Sequence, residues 1–200
     1  LKHLILLFST ILIFNISQAQ KTVYKDFEFG LRGGINVSGL RGNFPDSMDA
    51  NYKVGFQFGV YSRYHITDKL KTSFEVLFTR KGFKANVIDT FTFATLIYVE
   101  NHYNIEFPLM LEYQLSKESS LELGASYSLN LINDKVNFPG FNPFTENSAD
   151  LTALIGFNYF IDEITTLGFR YSYGLNPIIE TASKKGYSSN FQILIKSRLF

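Results

Sequence analysis

Leu167-Gly168-Phe169-Arg170-Tyr171-Ser172-Tyr173-Gly174-Leu175 puts Leu, Phe, Tyr, Tyr and Leu on one face of an extended chain and Gly, Arg, Ser and Gly on the other. A period of two is the signature of a β-strand, whose successive side chains point to opposite faces. Both glycines fall on the polar side. A strand face open to water gains nothing from glycine and loses stability by it. The narrow interior of a small closed barrel, by contrast, needs small residues beside its large charged ones. The polar face therefore reads as the inside, and the apolar face as the side that meets lipid.

The pattern recurs along the chain. Phe27, Phe29, Leu31, Ile35 and Val37 oppose Glu28, Gly30, Arg32, Gly34, Asn36 and Ser38, and Val54, Phe56, Phe58 and Val60 oppose Lys53, Gly55, Gln57, Gly59 and Arg63. Phe74, Val76 and Phe78 oppose Lys71, Glu75 and Lys81. Ile105, Phe107, Leu109 and Leu111 oppose His102, Glu106 and Glu112. Further strands centre on Leu123, Ile155, Phe169 and Ile193. The polar face carries Gly30, Gly34, Gly55, Gly59, Gly124, Gly156, Gly168 and Gly174, with Gly33 the exception. Pro108 predicts a bulge or local irregularity in the fourth strand, since it cannot donate a ladder hydrogen bond. Tyr52, Tyr64, Tyr103, Tyr113, Tyr159 and Tyr173 stand near strand ends, as interfacial girdles require.

The connections, read as 39–51, 67–69, 85–97, 116–120, 133–148, 162–164 and 177–186, alternate long and short. In a membrane barrel one rim carries tight turns and the other wandering loops. The expected fold is all-β, an eight-stranded antiparallel transmembrane barrel of the outer-membrane type over residues 20–200. Residues 1–19 read as a cleaved secretory signal. Lys2 precedes an apolar run from Leu4 to Ile16, about 13 residues where a membrane helix needs roughly 20, and Ser17-Gln18-Ala19 supplies small residues at a cleavage site. A buried N-terminal helix is the alternative. A soluble lipocalin-like barrel is the alternative for the fold, and the glycines argue against it.

Cysteine and tryptophan are absent, while Phe and Tyr number 21 and 12. Disulfides, thiolate metal sites and lipid on an N-terminal cysteine are therefore excluded. A net charge of +1 gives no reason to expect nucleic acid.

Four segments resemble the PorT-type outer-membrane β-barrel proteins. Residues 30–38 (GLRGGINVS) are similar to the opening strand of that family and 74–84 (FEVLFTRKGFK) to its third. Residues 103–113 (YNIEFPLMLEY) are similar to the fourth strand and 170–176 (RYSYGLN) to the penultimate one. The resemblance covers essentially the whole expected mature chain. It implies a place in the outer membrane of a Gram-negative bacterium and, by analogy with a founding member associated with a secretion and gliding apparatus, envelope or secretion proteins as partners. Two departures stand out. Glu112 occupies a place where the family tends to carry a basic residue. Phe200 fits the terminal aromatic of such barrels, but its parity differs from Phe191, Ile193 and Ile195, so either a bulge shifts the last residues or Phe200 turns away from lipid.

The candidate site is the set of lumen charges: Glu28, Arg32, Lys53, Arg63, Glu75, Glu106, Glu112, Glu122, Arg170 and Lys196, with Lys71, Lys81 and Arg198 on the same face. Interleaved signs predict a salt-bridge network that plugs the barrel, with Arg32–Glu75 and Arg170–Glu106 as plausible pairs. A selective pore is the competing reading. No phosphate loop, metal cluster or nucleophile elbow is found, and no cofactor is expected. His65 and His102 fall towards opposite rims, which leaves His102 as the best candidate for a lipid-modifying enzyme. Phe138, Phe141 and Phe144 form an aromatic loop suited to contact a partner or to cover the barrel mouth. The expectation is a non-enzymatic, monomeric barrel in outer-membrane lipid that serves as a structural, anchoring or surface-interaction protein, within a secretion assembly. A small transporter and a lipid-modifying enzyme are the alternatives.

Overall fold

The computed structural model describes residues 27–42, 48–88, 95–136, 145–146, 149–180 and 185–200. The expected signal segment and the aromatic loop of Phe138, Phe141 and Phe144 lie outside the described residues. The strands are β1 (Phe27–Gly42), β2 (Met48–His65), β3 (Leu70–Ile88), β4 (Thr95–Gln114), β5 (Ser119–Val136), β6 (Thr145–Glu146), β7 (Ala149–Phe160), β8 (Thr165–Glu180) and β9 (Lys185–Arg198). Each long strand pairs antiparallel with its neighbours, and β9 pairs with both β8 and β1. The sheet thus closes into an eight-stranded barrel, with the short β6 added on β8 through Thr145↔Glu180.

Three tight turns share one rim and one chemistry. Ile66, Leu115 and Ile161 each donate their amide to the carbonyl of Leu70, Ser119 and Thr165, at 2.9 Å in each case. The residue after each is Thr67, Ser116 or Asp162, whose side-chain oxygen caps the turn. Thr67 accepts from Leu70 N at 3.0 Å, Ser116 from Glu118 N at 3.2 Å, and Asp162 from Ile164 and Thr165 N at 2.7 Å. Short polar side chains that bond backbone two or three residues on are what such turns select. The two amide bonds hold the Asp162 carboxyl below its ordinary range. Tyr64, Tyr113 and Tyr159 each stand three residues before these capping residues and are exposed on the outer face. They form one level of an aromatic belt.

The apolar face is the outer one. Phe58 is 54% exposed and Leu111 53%, while Arg170 on the opposite face is 3% exposed. A soluble lipocalin-like barrel would show the reverse.

Large apolar residues share the inner face with the charges, Tyr61 and Phe83 among them. Leu77, Met110, Leu154 and Leu194 are buried inside the barrel. All four stand directly across the ladder from glycine: Gly59↔Leu77, Gly124↔Met110, Gly124↔Leu154 and Gly168↔Leu194. A β-carbon on Gly124 would lie 2.6 Å from Met110 Sδ, and one on Gly168 2.5 Å from Leu194 Cδ1. On the outward face, a β-carbon on Gly33 would meet nothing closer than 3.9 Å. Glycine in the lumen makes room for what faces it.

The ladders run further than the alternation suggests. β1 continues to Gly42, β3 to Ile88, β5 to Val136 and β8 to Glu180, while β2 starts at Met48 and β9 at Lys185; β4 starts at Thr95, as the parity running back through Val99 and Ile97 leads one to expect. The connections expected at 39–51, 85–97, 133–148 and 177–186 are correspondingly narrower. β4 has 20 residues, about twice the 9–11 that cross a bilayer. Beyond the hydrocarbon both faces meet water, so the period-two pattern fades where the hydrogen bonds do not.

Irregularities are local. Pairing of β4 with β3 is interrupted between Leu109 and Glu106 without a change of register, and the β5 side runs unbroken through Pro108↔Ser126. The register shift in β4–β5 lies instead at Tyr103/Asn104, so that Leu131 and Ile132 of β5 both face outward. At the C-terminus, Leu199 N and Phe200 N both donate to Phe29 O, at 2.9 and 3.4 Å. Two residues therefore oppose one, a bulge. It turns the Phe200 ring outward to stack on Phe29 at 5.5 Å between centroids. The parity conflict at Phe200 is resolved by that bulge.

Replacing Gly168 by Val should overpack the lumen and cost about 1–3 kcal/mol, whereas Gly33→Val on the open outer face should change stability by less than about 0.5 kcal/mol. Urea unfolding of the refolded barrel, followed by far-ultraviolet circular dichroism, measures both. Equal effects would contradict the assignment of faces.

Candidate functional site

At mid-barrel the lumen is crossed by charged side chains from several strands. Glu75 of β3 is the hub. Arg32 of β1 donates Nη1 to Glu75 Oε2, and Arg170 of β8 places Nη1 and Nη2 on the two Glu75 oxygens at 2.9 and 3.0 Å. This is the paired fork geometry that gives guanidinium–carboxylate contacts their strength. The Nε of Arg170 reaches Glu122 of β5 at 2.7 Å, and Lys196 of β9 reaches the other Glu122 oxygen at 3.1 Å and Glu75 at 3.7 Å. Neutral amides complete the shell. Gln192 and Gln57 accept from Arg32 Nη2 at 2.8 and 3.2 Å, and Asn158 donates to Glu122 at 3.0 Å.

Register explains who meets whom. Glu122, Gly156 and Arg170 follow one another across β5, β7 and β8. Gly156 lies between the two charges, and a β-carbon there would sit 2.6 Å from Glu122 Oε1. Its bare backbone lets Arg170 reach across. Of the pairs expected from sequence, Arg32 and Glu75 are brought together. Arg170 and Glu106 are not: Glu106 stands opposite Ser128, higher in the barrel, where it pairs with Lys81 of β3.

A second layer lies towards the tight turns. Arg63 bridges Glu28 at 2.9 Å and Glu112 at 3.2 Å, and Ser120 donates to the remaining Glu112 oxygen at 2.7 Å. Glu112 thus answers Arg63. His65 bonds Glu28 at 2.8 Å and Arg198 lies 3.8 Å from it. Towards the opposite rim, Lys53 donates to Asn101. His102 contacts Glu100 at 3.2 Å and Asn130 at 3.0 Å, with its ring against Phe83. His65 and His102 therefore belong to opposite ends. Among the described residues no group of three or more His, Asp or Glu could hold a metal ion.

Sequence reasoning passed over Gln57, Ser120, Asn158 and Gln192 as partners, and Leu77, Met110, Leu154 and Leu194 as filling. Parity would have found all eight, since each sits in phase with the lumen charges. One cavity of about 50 Å³ lies at the loop end, around Ser38, His102 and Asn190, and another of about 340 Å³ at the turn end, around Arg63 and Lys71. They share no lining residue.

A closed antiparallel barrel with an apolar outer band, a tyrosine belt and a buried ionic interior defines an integral outer-membrane barrel. The family model described as outer membrane protein beta-barrel domain matches residues 17–180, and the chain belongs to that family and to the bacterial outer membrane. Neisserial surface protein A is similar at 19% identity, covering 86% of this chain and 97% of that one, with a TM-score of 0.52. OprG of Pseudomonas aeruginosa is similar at 16% identity, covering 87% and 96%, also at 0.52. Ail, the attachment invasion locus protein of Yersinia pestis, in complex with the heparin analogue sucrose octasulfate, is similar at 12% identity, covering 87% and 99%, at 0.51. No curated protein sequence matches the chain.

Removing one partner from a buried ionic network leaves the other uncompensated, at a cost of about 3–5 kcal/mol. Glu75→Gln should lose about that much in urea unfolding, and Arg32→Gln made in the same background should cost far less than it does alone. Additive losses would show that Arg32 and Glu75 are not coupled.

Proposed function

We propose that the protein is a non-enzymatic, monomeric scaffold of the outer membrane, whose barrel holds its outer loops at the cell surface for contact with partners. The observation that carries this reading is the filled lumen. Glu75 and Glu122 are bound by Arg32, Arg170 and Lys196 across the full width of the barrel, and an interior of eight strands is only wide enough for side chains to fill. A permeant ion or solute would have to displace several buried charge pairs at once.

The position of His102 also supports a non-enzymatic role. Its ring packs against Phe83 and bonds lumen residues, away from the lipid that a lipid-modifying enzyme would process. The likeness of β1, β3, β4 and β8 to PorT-type barrels favours partners within a secretion assembly, and the aromatic residues Phe138, Phe141 and Phe144 are the proposed contact.

Purified protein in planar bilayers should show no stepwise conductance, and Glu75→Gln should lower stability without opening one. A large single-channel current in the wild type would replace the scaffold by a pore. Affinity capture from intact outer membranes should recover envelope proteins, and replacing Phe138, Phe141 and Phe144 together by Ser should reduce that recovery at least fivefold.

A further inference from the structure

The lumen cations do not all have partners of the same kind. Arg32, Arg63, Lys81, Arg170 and Lys196 each reach a carboxylate. Lys71 is only 7% exposed, and its ammonium forms no hydrogen bond or ion pair with the described residues. Its Nζ lies 5.2 Å over the Phe160 ring instead. The register shows why. Lys71 stands opposite Glu112, but the Glu112 oxygens are taken by Arg63 and Ser120. The stem of Lys71 is buried while its ammonium opens into the cavity at this end, where an aromatic face meets only part of its need for an acceptor.

Lys71 lines the cavity of about 340 Å³ at the tight-turn end, together with Lys117 and Arg198. The acidic groups there are Glu28, Asp162 and Glu163. Glu28 is shared among Arg63, His65 and Arg198, the Asp162 carboxylate is bound by the amides of its own turn, and Glu163 stands exposed on that turn against the four cations Arg63, Lys71, Lys117 and Arg198 of the lining. In an outer-membrane barrel the tight-turn rim faces the periplasm. We infer that the periplasmic mouth of the lumen is an anion-binding site, in which Lys71, flanked by Lys117 and Arg198, receives one carboxylate or phosphate group from the periplasmic side. The site does not rest on the scaffold reading, since it lies on the turn side of the mid-barrel network, beside Glu28 and Arg63, and serves a closed barrel as well as an open one.

The test is an NMR titration of the refolded barrel in a zwitterionic detergent, with sodium acetate, sodium phosphate and, as control, sodium chloride. Signals of Lys71, Tyr61 and Thr166 should shift saturably with acetate, phosphate or both, with half-saturation of order millimolar, about 4 kcal/mol of binding. Saturation by acetate alone assigns a carboxylate ligand, by phosphate alone a phosphate, and by both a site for a single anion of either kind. Lys71→Met should raise the half-saturation at least tenfold. Should that variant fail to fold, the double variant Lys117→Ala/Arg198→Ala should raise it about threefold. Shifts that grow linearly with every salt, or a substituted protein that titrates like the wild type, would overturn the proposal.

Discussion

Eight strands enclose a lumen of nearly fixed cross-section, and the summed volume of the inward side chains has to match it. Much else in this barrel follows from that constraint. Where Met110 or Leu194 points inward, the residue across the ladder is glycine. Where Arg170 has to reach Glu122, the strand between them supplies Gly156. Glycine would weaken an ordinary strand. Here its small volume is what allows a large residue on the neighbouring strand, so the sheet trades intrinsic strand preference for packing.

The same confinement governs the charges. Ionic groups at membrane depth are tolerated when they face one another and not lipid, and a small lumen leaves each carboxylate few possible neighbours. Glu75 of β3 reaches β8, on the far side of the barrel, through Arg170, and β1, two strands away, through Arg32. The network therefore braces the closed cylinder across its width, which nearest-neighbour ladder hydrogen bonds cannot do. Arg41 does related work at the loop end, where its guanidinium lies 3.5 Å over the Tyr173 ring of β8 and bonds Gly174 O, tying β1 to β8 past β9.

How much of this could be read from the chain depends on which physical record the residues keep. Period two preserves the inside and outside of every strand, because lipid tolerates no ionised side chain at its mid-plane, and the assignments of Phe58, Leu111 and Arg170 follow from it. It does not preserve every strand end, because selection for an apolar outer face stops where the hydrocarbon stops, while the ladder of β3 goes on to Ile88. It does not preserve partners either. Arg170 has the right face for both Glu106 and Glu122, and only register, set by the tight turns and the bulges, decides between them. Leu77, Met110, Leu154 and Leu194 were legible by parity, but an apolar residue in a polar row reads as noise until the row is known to line a closed and crowded space.

The two ends of the barrel differ in a way that follows from the turns. At the turn rim, three short connections hold Tyr64, Tyr113 and Tyr159 at one level and leave little chain to cover the lumen, so the mouth there is lined by the strands' own side chains. Glu28, Arg63 and Lys71 are fixed by regular ladders on β1, β2 and β3, and their geometry is as rigid as the sheet. A charge left over in such a place cannot relax by moving with a loop. Lys71, displaced from Glu112 by Arg63, has either to accept the Phe160 ring as its neighbour or to take an anion from outside, and the rigidity that creates the first arrangement is what would make the second selective.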